Sequence, residues 1–407
     1  MTVMLNKNIK NCCGCGACIA SCPQKAISFI NNENGFLVPK TDKSLCVNCG
    51  ICESLCNYPA NNFHMDTKQI YAAVANNTSI VESASGGVFS GIAKEFLNKG
   101  GAVAGCSLRR DADGFKAEHI VITDEKELSK LKGSKYIHSN TIKSYVQTRE
   151  LLRNGISVLY SGTPCQIAGL YSYLGKRYSN LYTIDIVCHG VPSEKMFNDY
   201  ISLIERKLNT IVDEFVFRDK SRGWQLFGKM HLTTSEREND TVYFSPEESS
   251  YYQLFLDGLT YRDNCYSCPF AGKPRPGDLT IGDYWGIEIV QSELLAENGG
   301  PLNKYEGISS LMVNNEHGAE LLREYSGVST FESSFELISR YNRQLKSPSV
   351  LSPKREFVFQ QYRKSYEYLD KWYRRTLAFK HIKKYVRDLI PSSIKSIIKK
   401  HIYVKSK

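Results

Sequence analysis

Two four-cysteine runs lie near the N-terminus, CCGCGACIASCP at residues 12–23 and CVNCGICESLC at residues 46–56. In both runs the cysteines are spaced C-x2-C-x2-C-x3-C, and Pro23 directly follows the first run. This is the spacing of bacterial two-cluster ferredoxins, in which the fourth cysteine of each run ligates the cluster of the other run. The runs therefore predict two 4Fe-4S clusters, one held by Cys12, Cys15, Cys18 and Cys56 and the other by Cys46, Cys49, Cys52 and Cys22.

The alternative interpretation of these cysteines is a pair of structural zinc sites. Zinc takes four tetrahedral ligands, commonly supplied by two separated C-x2-C pairs, so two tandem four-cysteine runs favour iron-sulfur clusters. One departure from the ferredoxin pattern is that Asn57 follows Cys56, with Pro59 two places further on. Cys13 is out of register with the spacing, and we interpret it as a spare thiol.

Composition places the chain among ordinary globular proteins of two or three domains, because its 407 residues are 42% hydrophobic and 23% charged. Nine of the fourteen cysteines fall within the first 56 residues. The N-terminus has no apolar core of signal-peptide length, and no run of eighteen apolar residues occurs. We therefore expect a cytoplasmic protein, in which clustered cysteines are metal or cluster ligands and not disulfides.

The net charge of +10 is concentrated at the C-terminal end, where residues 371–407 contain twelve Lys and Arg but one acid. The remainder is nearly neutral, so the charge gives no case for nucleic acid as a partner. Apolar positions from Leu377 to Ile390 follow helical spacing, Pro391 interrupts it, and the spacing resumes at Ile394. Such helices either contact an anionic surface, at the inner membrane or on an acidic partner, or pack on the body with lysines facing water.

Alternation of strand and helix signals predicts the organisation that follows the cysteine runs. Short buried strands are expected at residues 71–75, 102–108, 119–122, 156–160 and 181–187, and helices at residues 88–97, 141–152, 166–174 and 194–208. The fold class is α+β: a ferredoxin-like domain at residues 1–62, an α/β domain at 63–210, a strand-rich part with a C-x2-C pair at 211–345 and a basic helical tail at 346–407.

Three segments of the α/β domain share one design, in which small residues end a strand or turn and a helix begins. They are SASGGVFSGIAKEF (83–96), SGTPCQIAGLYSYL (161–174) and CHGVPSEKMF (188–197). Free N–H groups at a helix N-terminus suit phosphates or the electron-rich edge of a reduced flavin. Each segment alone is equally well explained as a helix cap. A Rossmann NAD site is not supported, because no G-x-G-x-x-G follows a strand.

Together with KGSKY (132–136), FRDKSRGW (217–224) and CYSCPFAGKPRPGDLTIGDYWG (265–286), these segments give the chain a specific resemblance to a known family. Over residues 10–290 it resembles the family of coenzyme F-420 hydrogenase/dehydrogenase beta subunits, with the motifs in family order. The resemblance implies FAD in the central domain and electron exchange between that flavin and iron-sulfur clusters. Partners would be a one-electron donor, such as ferredoxin or a redox subunit, and a small organic or deazaflavin acceptor.

Carried over to this sequence, the resemblance gives a set of candidate flavin-site residues: Ser85, Gly86, Gly87, Ser134, Lys135, Tyr136, Thr163, Pro164 and Gln166. Lys135 would offset pyrophosphate charge, although a solvated surface lysine is as good an interpretation. Tyr136 would stack on a ring or belong to the core. His189 is the candidate catalytic residue, as a proton donor to substrate, against the ordinary role of a structural histidine.

The family motifs also contain four further cysteines, for which we expect a third 4Fe-4S cluster beside the flavin: Cys165, Cys188, Cys265 and Cys268. A zinc site, or Cys165 as a reactive thiol at a helix start, are the alternatives. Cys106 lies in an apolar run and is interpreted as a buried small residue. Asp278 and Asp283 are interpreted as structural turn residues, with a substrate-facing carboxylate as the second interpretation.

Three functions remain open from the sequence. The first is an autonomous reductase that acts on a small substrate, the second is a non-catalytic electron-relay subunit of a larger complex, and the third is a zinc-stabilised interaction protein. A self-contained cleft over the flavin favours the first. An exposed apolar patch near a cluster favours the second, and a colourless protein that contains zinc would favour the third.

Overall fold

The structure of the chain, a computed structural model, describes residues 11–56, 69–76, 82–233, 240–325 and 327–389. Its strands are β1 (Ile27–Asn31), β2 (Leu37–Thr41), β3 (Gln69–Ala75), β4 (Ala102–Asp111), β5 (Gly114–Ile122), β6 (Val158–Gly162), β7 (Leu181–Ile186), β8 (Ile211–Val216), β9 (Gly228–Thr233), β10 (Asp240–Phe244), β11 (Leu279–Asp283), β12 (Ser309–Val313) and β13 (Val328–Glu332).

The helices are α1 (Ala17–Ala20), α2 (Ile51–Cys56), α3 (Val88–Asn98), α4 (Ile142–Arg153), α5 (Pro164–Leu174), α6 (Glu194–Leu208), α7 (Ser250–Leu256), α8 (Ile287–Val290), α9 (Glu316–Glu324), α10 (Phe335–Arg340), α11 (Lys354–Lys364) and α12 (Tyr366–Leu389). The strands and helices expected between residues 71 and 208 are all present, within a few residues of their expected ends. The α+β fold class is confirmed.

An eight-stranded mixed sheet forms the centre of the molecule, in the order β13-β3-β12-β11-β7-β6-β4-β5. Its middle strands β4, β6, β7 and β11 are parallel, and the outer pairings are antiparallel. Helices α3 and α9 cover one face, and α4 and α5 cover the other, each through an apolar cluster. Strands from both sides of the boundary expected at residue 210, such as β7 and β11, share this sheet; the boundary itself stays a prediction.

A second, three-stranded antiparallel sheet, β10-β9-β8, packs with α6 and α7 around a large aromatic core. Helix α7 lies within the stretch that we expected to be strand-rich. The two C-terminal helices also belong to this core, through buried residues such as Phe359 on α11 and Leu369 and Tyr373 on α12. The helical tail is therefore packed on the body as far as residue 377. The expected break at Pro391 and the apolar positions after it lie outside the described residues.

The N-terminal module consists of the hairpin β1-β2 and the short helices α1 and α2. It is fixed to the body by its first cysteine run, because Ala17 is buried in the same apolar cluster as α4 and α5. The backbone oxygen of Cys15 accepts a 2.6 Å hydrogen bond from Thr141 at the start of α4. The first cysteine run therefore faces the body of the molecule. Within the described ranges no helix is long and apolar enough to cross a membrane.

Candidate functional site

A cavity of about 350 Å³ opens where the four parallel strands of the central sheet end. Its wall includes Cys106 on β4, Gly162 on β6, Val187 after β7 and Asp283 on β11. In open α/β sheets, ligands bind in the crevice outside the carboxyl ends of the strands, and this volume is in the range of small-molecule and cofactor sites. The position and size of the cavity make it the candidate ligand site.

Most of the residues that we expected in a flavin site line this cavity: Ser85, Gly87, Ser134, Lys135, Tyr136, Thr163 and Gln166. They come from the turn before α3, the loop at residues 134–136 and the start of α5. The turn of the third expected strand-turn-helix segment, at Cys188 and His189, also lines the cavity, so the turns of all three segments converge on one space. Their role in cofactor binding stays a prediction.

Gly86 and Pro164 do not belong to the cavity wall that the described residues form. The Gly86 amide donates to Ser309 Oγ at 3.1 Å, and a Cβ on Gly86 would lie 2.5 Å from the carbonyl oxygen of Ala73. The close approach of backbone to backbone thus leaves no room for a side chain at this position. Pro164 is the first residue of α5, where a missing N–H costs nothing. Gly86 thus has a packing role and Pro164 a capping role, and the expected contact of these two residues with a flavin stays a prediction.

Lys135 is partly buried and lies in the cavity wall, so it is not a solvated surface lysine. Its Nζ donates to the backbone oxygens of Lys132, at 2.6 Å, and Lys130, at 3.3 Å. Desolvation lowers the pKa of Lys135 to about 8, against the opposing effect of nearby Cys106. Two neutral carbonyl oxygens therefore accept from the amine of Lys135, and its third N–H can donate to an anion in the cavity.

A buried arginine joins two walls of the cavity. Arg218 is 4% exposed and donates to Asp283 Oδ2 at 3.0 Å, to Ala84 O at 3.0 Å and to Tyr136 Oη at 3.3 Å. Burial opposes the charge of Arg218, but the Asp283 carboxylate holds the pKa of Arg218 above its ordinary value. Asp283, which we interpreted as a turn residue, therefore lies at the cavity in an ion pair. Asp278 is structural as expected, since it accepts from Thr183 N and Oγ1 at 2.7 Å.

Aromatic rings border the same part of the cavity. Trp285 lines it and stacks on Trp224, with ring centroids 4.7 Å apart and an interplanar angle of 4°. The Trp224 indole N–H donates to Asp283 Oδ1 at 3.1 Å. Tyr136 also lines the cavity, and its ring stacks on Phe255 at 4.4 Å, which agrees with the core role; stacking on a flavin stays a prediction. These rings give the cavity flat, rigid surfaces against which a planar group can lie.

A chain of hydrogen bonds fixes the wall formed by β5 and α5. His119 Nε2 lies 3.0 Å from the carbonyl oxygen of Ser161, which can only accept, so Nε2 carries the proton. Nδ1 therefore accepts from Ser139, at 3.0 Å, and Ser139 Oγ accepts from Gln166 Nε2 at 2.9 Å. Gln166 Oε1 in turn accepts from the Thr163 amide at 3.0 Å. Desolvation lowers the pKa of His119 to about 4, which keeps the ring neutral and this chain intact at neutral pH.

The candidate catalytic histidine and one candidate cluster cysteine are adjacent in the cavity wall. His189 is exposed, and its neighbour Cys188 lines the same cavity. Desolvation lowers the pKa of His189, with Asp283 opposing the shift. The backbone oxygen of His189 is fixed by a 2.6 Å hydrogen bond from Ser349. His189 is therefore positioned to meet a cavity ligand, and its catalytic role stays a prediction.

Cys188, Cys265 and Cys268 come together beside the cavity. Burial raises the pKa of the Cys188 thiol to about 12, with Cys265 and Cys268 as the next contributions, so the three thiols are electrostatic neighbours. Cys165 and Cys268 both pack against the small apolar cluster of Ala168 and Phe270. Four cysteines from three separate segments of the sequence thus approach one another beside the cavity.

The N-terminal cysteines are grouped across the two runs. Cys22 lines one small cavity together with Cys46, Cys49 and Cys52. The raised pKa of Cys56, about 11, is caused by burial and then by Cys15 and Cys12 of the first run. Each fourth cysteine therefore lies beside the three cysteines of the other run, as the predicted ligand sets require. Within the described ranges no three His, Cys, Asp or Glu side chains are close enough to hold a single metal ion.

Cys13, interpreted from the sequence as a spare thiol, lies between two of these sets. Its thiol is in hydrogen-bonding contact with Cys15 of the first run and with Cys165 at the start of α5. No sequence signal marks this position, because Cys13 is out of register with the spacing. The contact joins the N-terminal cysteines to those beside the cavity.

Arg218, His119 and Cys106 are among the residues of the cavity wall that sequence reasoning missed. Arg218 lies within the FRDKSRGW motif that carried part of the resemblance, so the motif could have indicated it. His119 and Cys106 are cross-strand partners on β5 and β4. A single histidine and a single cysteine in apolar strands carry no signal of a site until the strands are paired.

Comparison with known proteins agrees with this architecture. The profiles described as "Coenzyme F420 hydrogenase/dehydrogenase, beta subunit" match at residues 70–145 for the N-terminal part and residues 156–333 for the C-terminal part. The profile of a 4Fe-4S dicluster domain matches residues 11–60. A curated relative, one of the subunits of the F(420)H(2) dehydrogenase of Methanosarcina mazei, is 24% identical over 165 residues. The match covers 38% of this chain and 46% of that protein.

Among solved structures, the F420-reducing [NiFe] hydrogenase complex from Methanosarcina barkeri contains a similar chain, with a TM-score of 0.44 and 14% identity over 74% of this chain and 94% of that one. The two halves of the beta-subunit profile cover most of the present chain in order, and the dicluster match precedes them. The chain therefore belongs to the family of coenzyme F420 hydrogenase/dehydrogenase beta subunits and has a 4Fe-4S dicluster domain at its N-terminal end.

Proposed function

We propose that this protein is an iron-sulfur flavoprotein oxidoreductase that passes electrons between 4Fe-4S clusters and FAD, and on to or from a small organic or deazaflavin-type acceptor. The observation that carries the proposal is the cavity at the carboxyl ends of the parallel strands. One part of its wall contains Cys188 of the third cysteine set, and another contains Lys135 and the small residues at the starts of α3 and α5. A redox centre and an anion-binding surface therefore meet at one cavity.

The proposed electron path follows the contacts between cysteines. It begins at the second N-terminal set, where Cys49 is exposed, and continues to the first set, which faces the body. Cys13 then connects Cys15 with Cys165 of the third set, which reaches the cavity through Cys188. Adjacent centres of this kind transfer single electrons in either direction, and the direction of flow is set by the potentials of donor and acceptor.

The chemistry of the cavity wall fits FAD. Lys135 supplies the positive charge for a pyrophosphate, Ser85, Ser134 and Thr163 supply hydroxyl groups, and Trp285 and Tyr136 supply flat surfaces for a ring system. Bound there, FAD would link single-electron transfer to two-electron chemistry.

The protein's own groups have separate tasks in this proposal. The Arg218–Asp283 ion pair fixes the cavity wall and, through Trp224, the indole stack. The neutral His119 chain fixes the start of α5, and with it Cys165. His189 is the group that would hold or donate a proton to an acceptor beside the flavin, because it is exposed at the cavity.

A second candidate function, a relay subunit of a larger hydrogenase- or dehydrogenase-type complex, is favoured by a different observation. Apolar side chains around the second cysteine set are solvent-exposed: Leu45 by 52%, Val47 by 62% and Ile51 by 41%. Exposed apolar groups next to a cluster suit the docking of a redox partner subunit. In this function the acceptor would be reduced on the partner and not in the cavity.

We also propose that the protein is cytoplasmic and that its basic C-terminal end contacts the inner membrane surface. The positive charge of residues 371–407 supports this proposal. Among the side chains that the structure describes, those of the tail pack on the body as far as residue 377, so the residues after it are not needed for that packing. Truncation after Phe379 should therefore leave the fold intact and abolish co-sedimentation with anionic lipid vesicles. Equal co-sedimentation of the truncated and full chains would contradict the proposal.

The experiment that tests the redox function is anaerobic purification, with iron, sulfide, zinc and flavin quantified on one sample. About eight irons with one FAD per chain support the two N-terminal clusters and the flavin, and about twelve irons add the third cluster. Zinc without flavin would refute the proposal. The isolated chain should also reduce or oxidise a deazaflavin when it acts alone, whereas a relay subunit should do so only after its partner is added.

Replacement of Lys135 tests the flavin site itself. Lys135→Met should lower the affinity for FAD by about tenfold or more, because a charge-assisted contact to phosphate is lost, while the iron content stays unchanged. Lys130→Met is the matched control, since the Lys130 ammonium pairs with Glu127 on the surface.

The pH dependence of FAD binding provides an independent check on Lys135. Because the pKa of Lys135 is lowered to about 8, its ammonium is present below that pH and is lost as the pH rises through 8. FAD affinity should therefore fall above pH 8 in the wild type and be flat in Lys135→Met. The other titratable groups that face Lys135, Cys106 and His119, are retained in both proteins. An unchanged pH profile in the variant would show that Lys135 is not the group involved.

A further inference from the structure

Arg262 is a buried cation that lies at the junction between the N-terminal module and the body. It is 3% exposed. Its guanidinium donates to the backbone oxygen of Cys12 at 3.3 Å and of Leu37 at 2.7 Å, and it lies 5.2 Å from the ring of Phe36. All three contacts are with the N-terminal module, although Arg262 itself belongs to the body. The arginine therefore joins the first cysteine loop to the rest of the protein.

The backbone of Arg262 is fixed from the side of the third cysteine set. Its amide donates to Val191 O at 3.0 Å, three residues after Cys188, and its carbonyl accepts from the amide of Cys265 at 3.0 Å. Arg262 is thus anchored between the two segments that carry Cys188 and Cys265, and its side chain extends from there to Cys12. Arg262 therefore contacts residues at or near the proposed cysteine ligands of two redox centres.

Within the part of the chain that the structure describes, no carboxylate forms an ion pair with Arg262, and its Nε is buried without a hydrogen-bond partner. A buried charge without a counter-ion is strongly unfavourable. Backbone carbonyls satisfy the Nη atoms but carry no net negative charge. The site therefore requires an anion that is not a side chain of the described residues.

The cysteine loop is shaped to bring such an anion close to Arg262. Gly14, between Cys12 and Cys15, has φ +71°, and a Cβ at Gly14 would lie 2.7 Å from Arg262 Nη2 and 2.8 Å from His138 Cε1. His138 is also buried, at 4% exposure, and its ring lies next to the backbone of Cys13 in the same loop. Only glycine allows the loop to approach these two groups so closely.

We propose that Arg262 is a positioning residue that holds the first cysteine loop against the body and raises the reduction potential of the cluster held by Cys12, Cys15, Cys18 and Cys56. The inference rests on the proposed cluster ligands. Four thiolates give a 4Fe-4S cluster a net negative charge, which becomes more negative on reduction, so a nearby buried cation stabilises the reduced form. In the second set Cys49 is exposed to water, whereas the side chain of Arg262 donates to Cys12 of the first set.

The expected consequence concerns the first of two clusters with the same ligand spacing. Because reduction makes a cluster more negative, burial alone would lower the potential of the inner cluster relative to the outer cluster at the exposed Cys49, and the charge of Arg262 would act against this effect. The charge would therefore ease the passage of electrons from the outer cluster towards the cavity. Its removal should lower the potential of the inner cluster and leave that of the outer cluster unchanged.

The test is a redox titration of the purified, full-length holoprotein, followed by electron paramagnetic resonance. Arg262→Gln keeps a hydrogen-bond donor but removes the charge, and it should lower one of the two N-terminal midpoint potentials and leave the other unchanged. Arg262→Lys keeps the charge and should retain most of the wild-type potential. Arg363→Met is the matched control, because Arg363 crosses the same junction but contacts Asn34 at 2.8 Å, in the hairpin turn; its potentials should equal those of the wild type.

Wild-type potentials in an iron-replete Arg262→Gln protein would overturn the inference, as would an equal shift in Arg262→Gln and Arg262→Lys. If Arg262→Gln assembles poorly, the Arg262→Lys protein still tests the inference. This variant keeps the charge, so a strongly lowered potential of the first cluster in it would contradict the role of the charge. Absence of iron from the wild type would instead refute the proposed function, so the two failures are distinguishable.

Discussion

The two N-terminal cysteine runs have the same spacing and opposite surroundings. Ala17 in the first run is 2% exposed, whereas Ile51, at the equivalent position of the second run, is 41% exposed. Cys13 contacts Cys165, while its equivalent, Val47, is 62% exposed. One run is thus packed into the body and the other faces solvent. Equal ligand spacing predicts equal clusters, but it is burial and nearby charge that separate an inner redox centre from an outer one.

The two runs are expected to differ most in how strongly a substitution by a charged residue destabilises the protein. Ala17→Glu would bury an unpaired carboxylate among α4 and α5 and should cost about 3–5 kcal/mol of folding free energy. Ile51→Glu places the same side chain in water and should change stability by less than about 0.5 kcal/mol. Soluble yield and thermal unfolding of the two variants check this. Equal destabilisation would mean that the first run is not packed on the body in solution.

The equivalent glycines of the two runs give a finer comparison. Gly16 and Gly50 have φ of +78° and +75°, so alanine is strained at both positions. A Cβ at Gly16 would also lie 2.9 Å from Ile142 Cγ1, whereas none of the described atoms lies within 4 Å of a Cβ at Gly50. Gly16→Ala should therefore destabilise by about 1–3 kcal/mol more than Gly50→Ala. Thermal unfolding measures the difference, and similar values for both would argue against the contact with Ile142.

Iron removal should also distinguish the runs. A chelator under oxidising conditions reaches the exposed Cys49 before the cysteines that face the body, so about half of the N-terminal iron should be lost in a fast phase. Time-resolved iron release, with electron paramagnetic resonance of the protein that remains, checks the order. Loss of all the iron in a single phase would show that burial does not protect the first cluster.

The smallest expected effect is on the rate at which a protein donor reduces the protein through the second set. Val47→Ser removes an exposed apolar side chain next to the second set and should slow reduction by a protein donor about fivefold or less, the scale of one ordinary interface contact. Reduction by dithionite, which needs no docking, should be unchanged. Stopped-flow reduction with both donors makes the comparison. A Val47→Ser protein reduced at the wild-type rate by the protein donor would place the docking surface elsewhere.

Much of the fold was predictable because its signals are local. Short apolar strand signals that alternate with helical periodicity located the strands and helices from β3 to α6, and the tight spacing of the cysteine runs located the N-terminal module. The sheet order was not predictable, since β11 joins β7 from almost a hundred residues away. Pairing at such a distance depends on the packing of both sheet faces, which no sequence window contains.

The residues of the candidate site also divide into those that a local motif marks and those that it does not. Lys135 and Thr163 lie in motifs and could be selected from the sequence, as could the twelve candidate cluster cysteines. Gly86 shows the limit of a motif, because the sequence does not distinguish a glycine needed for close backbone packing from one needed beside a cofactor. His119 and Arg218 were missed, since each becomes part of the site only when separate strands and loops are brought together around the cavity.

The sequence by itself determined the cysteine spacing, the helix starts and the strand pattern, and with them the family and its iron-sulfur character, because these depend on neighbouring residues along the chain. Only the tertiary structure decided which run faces the body, that Cys13 contacts Cys165, and that Arg262 lies at Cys12. Burial and the positions of charges arise from contacts between residues that are distant in sequence, so identical spacing in the two runs could not reveal their different surroundings.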